Sequence, residues 1–131
     1  MRPSIAALLS LPVALLALAG CASEPDVSEV RIVSTPWNGW DPDHDPTATT
    51  WTLLPAEGEE ADVGCGVTLT VVDVGGDHAV LRSSEDLAPT NDTGGIRLRD
   101  TQDEWEVERG EVVEAATATT DGGCRFELSV G

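Results

Sequence analysis

Apolar residues fall in two different patterns along the 131 residues. Near the start, Ile5 to Ala19 is an apolar run broken only by Ser10 and Pro12. From residue 30 onward the apolar positions come in short runs, and several alternate with polar ones. Val63, Cys65, Val67, Leu69 and Val71 fall on one face, and Thr68 and Thr70 on the other. Ile96 and Leu98 oppose Arg97 and Arg99, Trp105 and Val107 oppose three glutamates, and Phe126, Leu128 and Val130 oppose Arg125, Glu127 and Ser129. A period of two marks strands with one buried and one wet face. The strands predicted are 30–34, 50–54, 63–74, 79–83, 95–99, 104–109, 112–119 and 124–130. Gly75-Gly76-Asp77 and Asp121-Gly122-Gly123 supply hairpin turns between consecutive runs. No amphipathic helix and no internal repeat is legible. The expectation is an all-β domain, a small antiparallel β-sandwich or barrel of seven to eight strands.

The first run carries a different message. It is shorter than the roughly 20 residues a transmembrane helix needs, and Pro12 weakens a span. Arg2 before it and small residues after it fit a secretory signal peptide. The run ends in Leu18-Ala19-Gly20-Cys21, which resembles the lipobox of bacterial lipoproteins: an aliphatic residue, two small residues and a Cys. The resemblance covers about the first 21 residues. It implies a diacylglycerol thioether on Cys21, cleavage just before it, and often an acylated new amino group. The physics is compatible, since small residues admit an extended backbone to a protease and the Cys sulfur is a nucleophile. Two or three acyl chains anchor stably where one is marginal. The division expected is a signal peptide over 1–20, a lipidated Cys and tether over 21–29, and a β-domain over 30–131. The place implied is extracytoplasmic, lipid-anchored to a bacterial membrane in the cell envelope.

With Cys21 carrying lipid, Cys65 and Cys124 are left as a pair. Both lie on apolar faces of predicted strands, so a buried bridge with both sulfurs in the core is expected; two free buried thiols are the alternative. The bridge closes a loop of about 58 residues, for which the chain-entropy model gives ~4 kcal/mol. Neither Cys has a second Cys or a His at metal-ligand spacing.

Charge narrows the function classes. Twenty-four Asp and Glu face seven Arg and no Lys, for a net charge of −17, and removing Arg2 with residues 1–20 makes the remainder more negative still. Nucleic acid, which needs basic stripes, is not an expected partner. The same charge argues against adhesion to an anionic lipid surface. A solvated coat or adaptation to high salt explains such a surface, with an acidic surface for cations or a basic partner as the alternative.

Candidate chemistry gathers in 37–46. Trp37 and Trp40 flank a glycine and either cover the small core as lids or present a surface for an envelope protein or glycan partner. Asp41, Asp43 and Asp45 have the alternate spacing that opens many calcium loops. The sixth position is Pro46 where an EF-hand needs Gly, and the twelfth is Thr52 where it needs Glu, so Pro-Asp turns account for the same residues. His44 and His78 pair with no Ser or Cys in a nucleophile motif. The expectation is a non-catalytic structural or binding module with no cofactor beyond the lipid. A calcium- or carbohydrate-binding surface and a small envelope hydrolase are the alternatives.

Overall fold

The computed structural model describes residues 26–131 apart from Pro42, His44, Asp45, Asp92 and Gly94. The segment expected to be a signal peptide and Cys21 therefore lie outside the described residues, as do His44 and Asp45. Eight strands follow one another, and none of the described residues is helical: β1 Val30–Asn38, β2 Thr49–Leu53, β3 Glu60–Asp62, β4 Thr68–Val74, β5 His78–Pro89, β6 Gln102–Glu108, β7 Val113–Thr117 and β8 Gly122–Val130. The all-β reading, a small barrel or sandwich, holds.

All pairings are antiparallel. The sheet runs β2-β1-β8-β7-β5-β4-β3, with β6 on the other edge of β5. It curls so that its terminal strands, β2 and β3, approach without forming a ladder. The inward positions predicted from alternation fill the interior: Ile32, Leu69, Val71, Leu81, Trp105, Val107, Phe126 and Leu128 are all buried. With a single Phe and no Tyr, burial falls mainly to Val, Leu and Ala.

Strand β5 turns the corner of the barrel. Its first part pairs with β4 and β6, whereas Leu87–Pro89 pairs with β7. Register with β6 shifts between Arg82 and Leu87. The buried Ser83 hydroxyl donates to the Glu85 carbonyl at 2.6 Å, which satisfies a backbone acceptor where the ladder is interrupted. The sequence expectation ended this strand at Ser83, ahead of the polar Ser84, Glu85 and Asp86. They form an exposed irregular stretch in a continuing strand.

Two other expectations are corrected. The run 63–74 is not one strand. Gly64, Cys65 and Gly66 all have positive φ, at 96°, 55° and 76°, and reverse the chain between β3 and β4. Val63 and Val67 stay buried because this turn is closed by the Val63 N–H donating to the Val67 carbonyl at 2.9 Å. Cys65 itself leaves the apolar face and is exposed. The second correction concerns 95–99, which forms no strand: Ile96 makes a lone bridge to Thr90, and Arg97 pairs with Asp100 at 2.6 Å in the turn that follows.

The disulfide joins Cys65 to Cys124, 59 positions apart. Only Cys124 is buried, so the expectation of two inward sulfurs holds for one. The bridge fastens the β3–β4 turn, near the open seam, onto β8. Around it, the Cys124 N–H donates to the buried Thr117 hydroxyl at 3.2 Å. Gly123 makes that approach feasible: a Cβ there would lie 1.9 Å from Thr117 Oγ1.

The antiparallel order gives the barrel two distinct ends. At the proximal end the chain enters. Val27 is buried in the core, and the Ser28 N–H donates to the Gly131 carbonyl at 2.8 Å, so packing starts within the stretch read as tether. Leu53 pairs with Val30 here, and the turns 75–77 and 109–112 meet through the Arg109 N–H donating to the Asp77 carbonyl at 2.8 Å. At the distal end are the β1–β2 and β7–β8 connections and the disulfide-bonded turn. Nine residues of β1 separate the ends, or roughly 26 Å at strand rise.

Two substitutions test this account. Replacing both Cys65 and Cys124 by Ser lowers unfolding stability by about 4 kcal/mol in denaturant titration. Gly123→Ala lowers it by about 1–3 kcal/mol through overpacking against Thr117.

Candidate functional site

The distal end holds the most exposed aromatic residue. Trp37, the eighth residue of β1, pairs with Gly123 and is half-buried. Its indole Nε1 is buried and has no hydrogen-bond partner among the described residues. Its ring lies over Gly39, where a Cβ would sit 3.6 Å from Trp37 Cζ3 and 3.3 Å from the Asp121 carbonyl oxygen. That close approach lets the Gly39 N–H donate to the Asp121 carbonyl at 2.9 Å, which ties the β1–β2 turn to the β7–β8 turn. The Trp40 N–H donates to Asn38 Oδ1 at 2.9 Å. The backbone leading into Trp40 is thus held by two hydrogen bonds while the residue is 78% exposed. The lid reading fails for Trp40, which covers nothing. Trp37 remains partly packed, though outside the apolar core cluster.

The candidate calcium residues stand just beyond. Asp41 and Asp43 are exposed, and Asp41 Oδ1 accepts the Asp43 N–H at 3.0 Å, an Asx turn. Asp45 lies outside the described residues. Among the described residues, no group of three or more His, Cys, Asp or Glu is placed to hold a metal ion.

A second feature was not legible in the sequence. Thr35, Thr90, Glu114, Arg125, Phe126 and Glu127 line a groove of about 170 Å³. Thr35 pairs with Arg125, and Glu114 with Glu127, while the Thr90 hydroxyl donates to Glu114 at 2.9 Å. Opposed like charges cost stability in a cross-strand pair, and Arg125, two residues from Glu127 on its face, offsets that cost. Alternation identified Arg125 and Glu127 as outward-facing. That β7 and β5 bring Glu114 and Thr90 beside them follows from strand order, which the sequence does not carry. The groove is smaller than the roughly 300 Å³ at which small-molecule pockets begin.

His78 follows the 75–77 turn at the proximal end, with its side chain 30% exposed. Its Nδ1 is 3.1 Å from Asp77 Oδ1. That hydrogen bond, aided by the charges of Asp77, Glu106 and Asp73, raises the His78 pKa. The same hydrogen bond lowers the Asp77 pKa, with Arg109 adding to the effect.

Comparison with known proteins yielded no matching family model, no matching curated protein and no matching solved structure.

The Asp77–His78 pair predicts a signed pH dependence. Its stabilisation is present above the ordinary carboxylate range and is lost on acidification as pH falls through the lowered Asp77 pKa. It is fully present below the ordinary histidine range and is lost as pH rises through the raised His78 pKa. In an NMR titration the His78 ring midpoint lies above that of a free histidine and drops in Asp77→Asn.

Proposed function

We propose that this chain is a lipid-anchored, extracytoplasmic binding module of a bacterial cell envelope, without catalytic chemistry of its own. The observation that carries the reading is the lipobox-like Leu18-Ala19-Gly20-Cys21 placed directly ahead of a folded domain. Only residues 22–26 separate Cys21 from Val27, the first residue of the apolar core. Fully extended, that link reaches roughly 20 Å. A disulfide on an exposed turn supports the same address, because such bonds persist in oxidising compartments.

The binding half of the reading rests on Trp40. An aromatic residue exposed on a hydrogen-bonded turn offers a large, rigid contact surface at low entropic cost, the composition found at recognition surfaces. An envelope protein or a glycan is the partner class it suits, the first through burial of the indole and the second through stacking.

Protein extracted from the membrane starts at Cys21 and carries added acyl mass by intact-mass measurement, and Cys21→Ser leaves the precursor uncleaved. An unmodified amino terminus at another position overturns the anchor. Trp40→Ala leaves the melting temperature nearly unchanged, as expected of an exposed residue, and removes a partner that co-purifies from gently solubilised membranes. Retention of that partner by the variant overturns the role of Trp40.

A further inference from the structure

The large apolar residues exposed among those described are Trp40, Leu54, Leu98 and Val112. Leu54 and Val112 share the proximal end. Leu54 follows Leu53, which pairs with Val30 at the start of β1. Val112 precedes Val113, which pairs with Leu128 near the end of β8. Both lie in the connections that close the barrel where the chain enters it. Asp26 is at that end too, its Oδ1 3.7 Å from the position a Cβ on Gly76 would take.

We propose that the proximal end is a lipid-contact face, with Leu54 and Val112 resting in the headgroup layer of a zwitterionic bilayer and Trp40 directed away from it. The proposal rests on the reading of Cys21 as the lipid-bearing residue. Residues 22–26 hold this end within roughly 20 Å of the anchor, so the two side chains meet the bilayer at high effective concentration. At 65% and 60% exposure, Leu54 and Val112 each have apolar area to remove from water, and a shallow interfacial site suffices for that. Charge selects the lipid. Asp26, Asp77, Glu108 and Glu111 are exposed around the same end, with Arg31 and Arg109 as cations beside them, so acids predominate. A negative lipid surface repels that ring, which limits depth and favours neutral headgroups.

The test uses the lipidated chain reconstituted in phosphatidylcholine vesicles with brominated acyl chains, which quench tryptophan emission at short range. On a Trp51→Phe background, which removes the half-buried tryptophan three residues from Leu54, the chain with Trp40 at the far end shows little quenching. Leu54→Trp and Val112→Trp each lose about half of the emission they add, as expected of side chains in the interface. Replacing part of the phosphatidylcholine with phosphatidylglycerol reduces that loss. On the unsubstituted chain, amide hydrogen exchange slows at 54–57 and 110–112 on vesicle addition and not at 38–41, a readout independent of how the variants fold. Absence of quenching in either variant, or protection at 38–41 in place of the proximal loops, overturns the lipid-contact face. A chain whose intact mass lacks acyl addition at Cys21 instead overturns the anchor reading beneath it.

Discussion

The barrel is held shut by one covalent bond rather than by a ladder. Strands β2 and β3 end the sheet on either side of a seam that they approach without pairing. The bond from Cys65 to Cys124 fastens the turn beside β3 to β8, a strand in the opposite part of the sheet. The loop it closes is worth about 4 kcal/mol in the chain-entropy model, a large share of the 5–15 kcal/mol typical of a whole domain. The local backbone is shaped around that bond. Three consecutive residues of positive φ deliver Cys65 to it. Thr117 caps the Cys124 amide, and Gly123 leaves room for Thr117. A core with one Phe and no Tyr gives this constraint its weight.

Alternation in the sequence was a faithful guide wherever a strand has one wet face. Phe126, Leu128 and Val130 in β8 and Trp105 and Val107 in β6 point inward as their spacing requires. It failed where local conformation overrides the period. Gly-Cys-Gly keeps the apolar period through 63–67 and yet reverses the chain, because the glycines open a left-handed path that side-chain pattern does not record. Ile96 and Leu98 alternate with arginines, but Ile96 makes only a lone bridge and the residues after it turn. Strand β3, Glu60–Asp62, was invisible for the opposite reason: it is short and polar, and pairing with β4 defines it. The groove at Arg125 was hidden by topology. Its lining comes from β1, β8, β7 and the residue after β5, which only the strand order brings together.

The acidic composition has a structural use at the sheet edges. Strand β6 pairs with β5 alone, and its outward residues are Glu104, Glu106 and Glu108. Carboxylates along an edge discourage pairing with another chain. Arg82, across the pair on β5, binds Glu104 at 2.6 Å and offsets part of the repulsion locally. Strand β2, Thr-Thr-Trp-Thr-Leu, has no charged residue at all. Its outer edge faces β3, so that neighbour shields it without help from charge.

Antiparallel order also fixes how the two halves of the functional reading relate. A strand of nine residues starts where the chain enters and ends beside Trp40, so the point of entry and the contact surface proposed at Trp40 lie about 26 Å apart. A lipid on Cys21 would then restrain one end without occluding the other. The turn bearing Trp40 is fastened to the β7–β8 turn through Gly39 and Asp121, and that connection leads within three residues to Cys124. The disulfide that shuts the seam therefore also stiffens the base of the exposed tryptophan. Closure of the barrel and presentation of its distal tip depend on the same few residues.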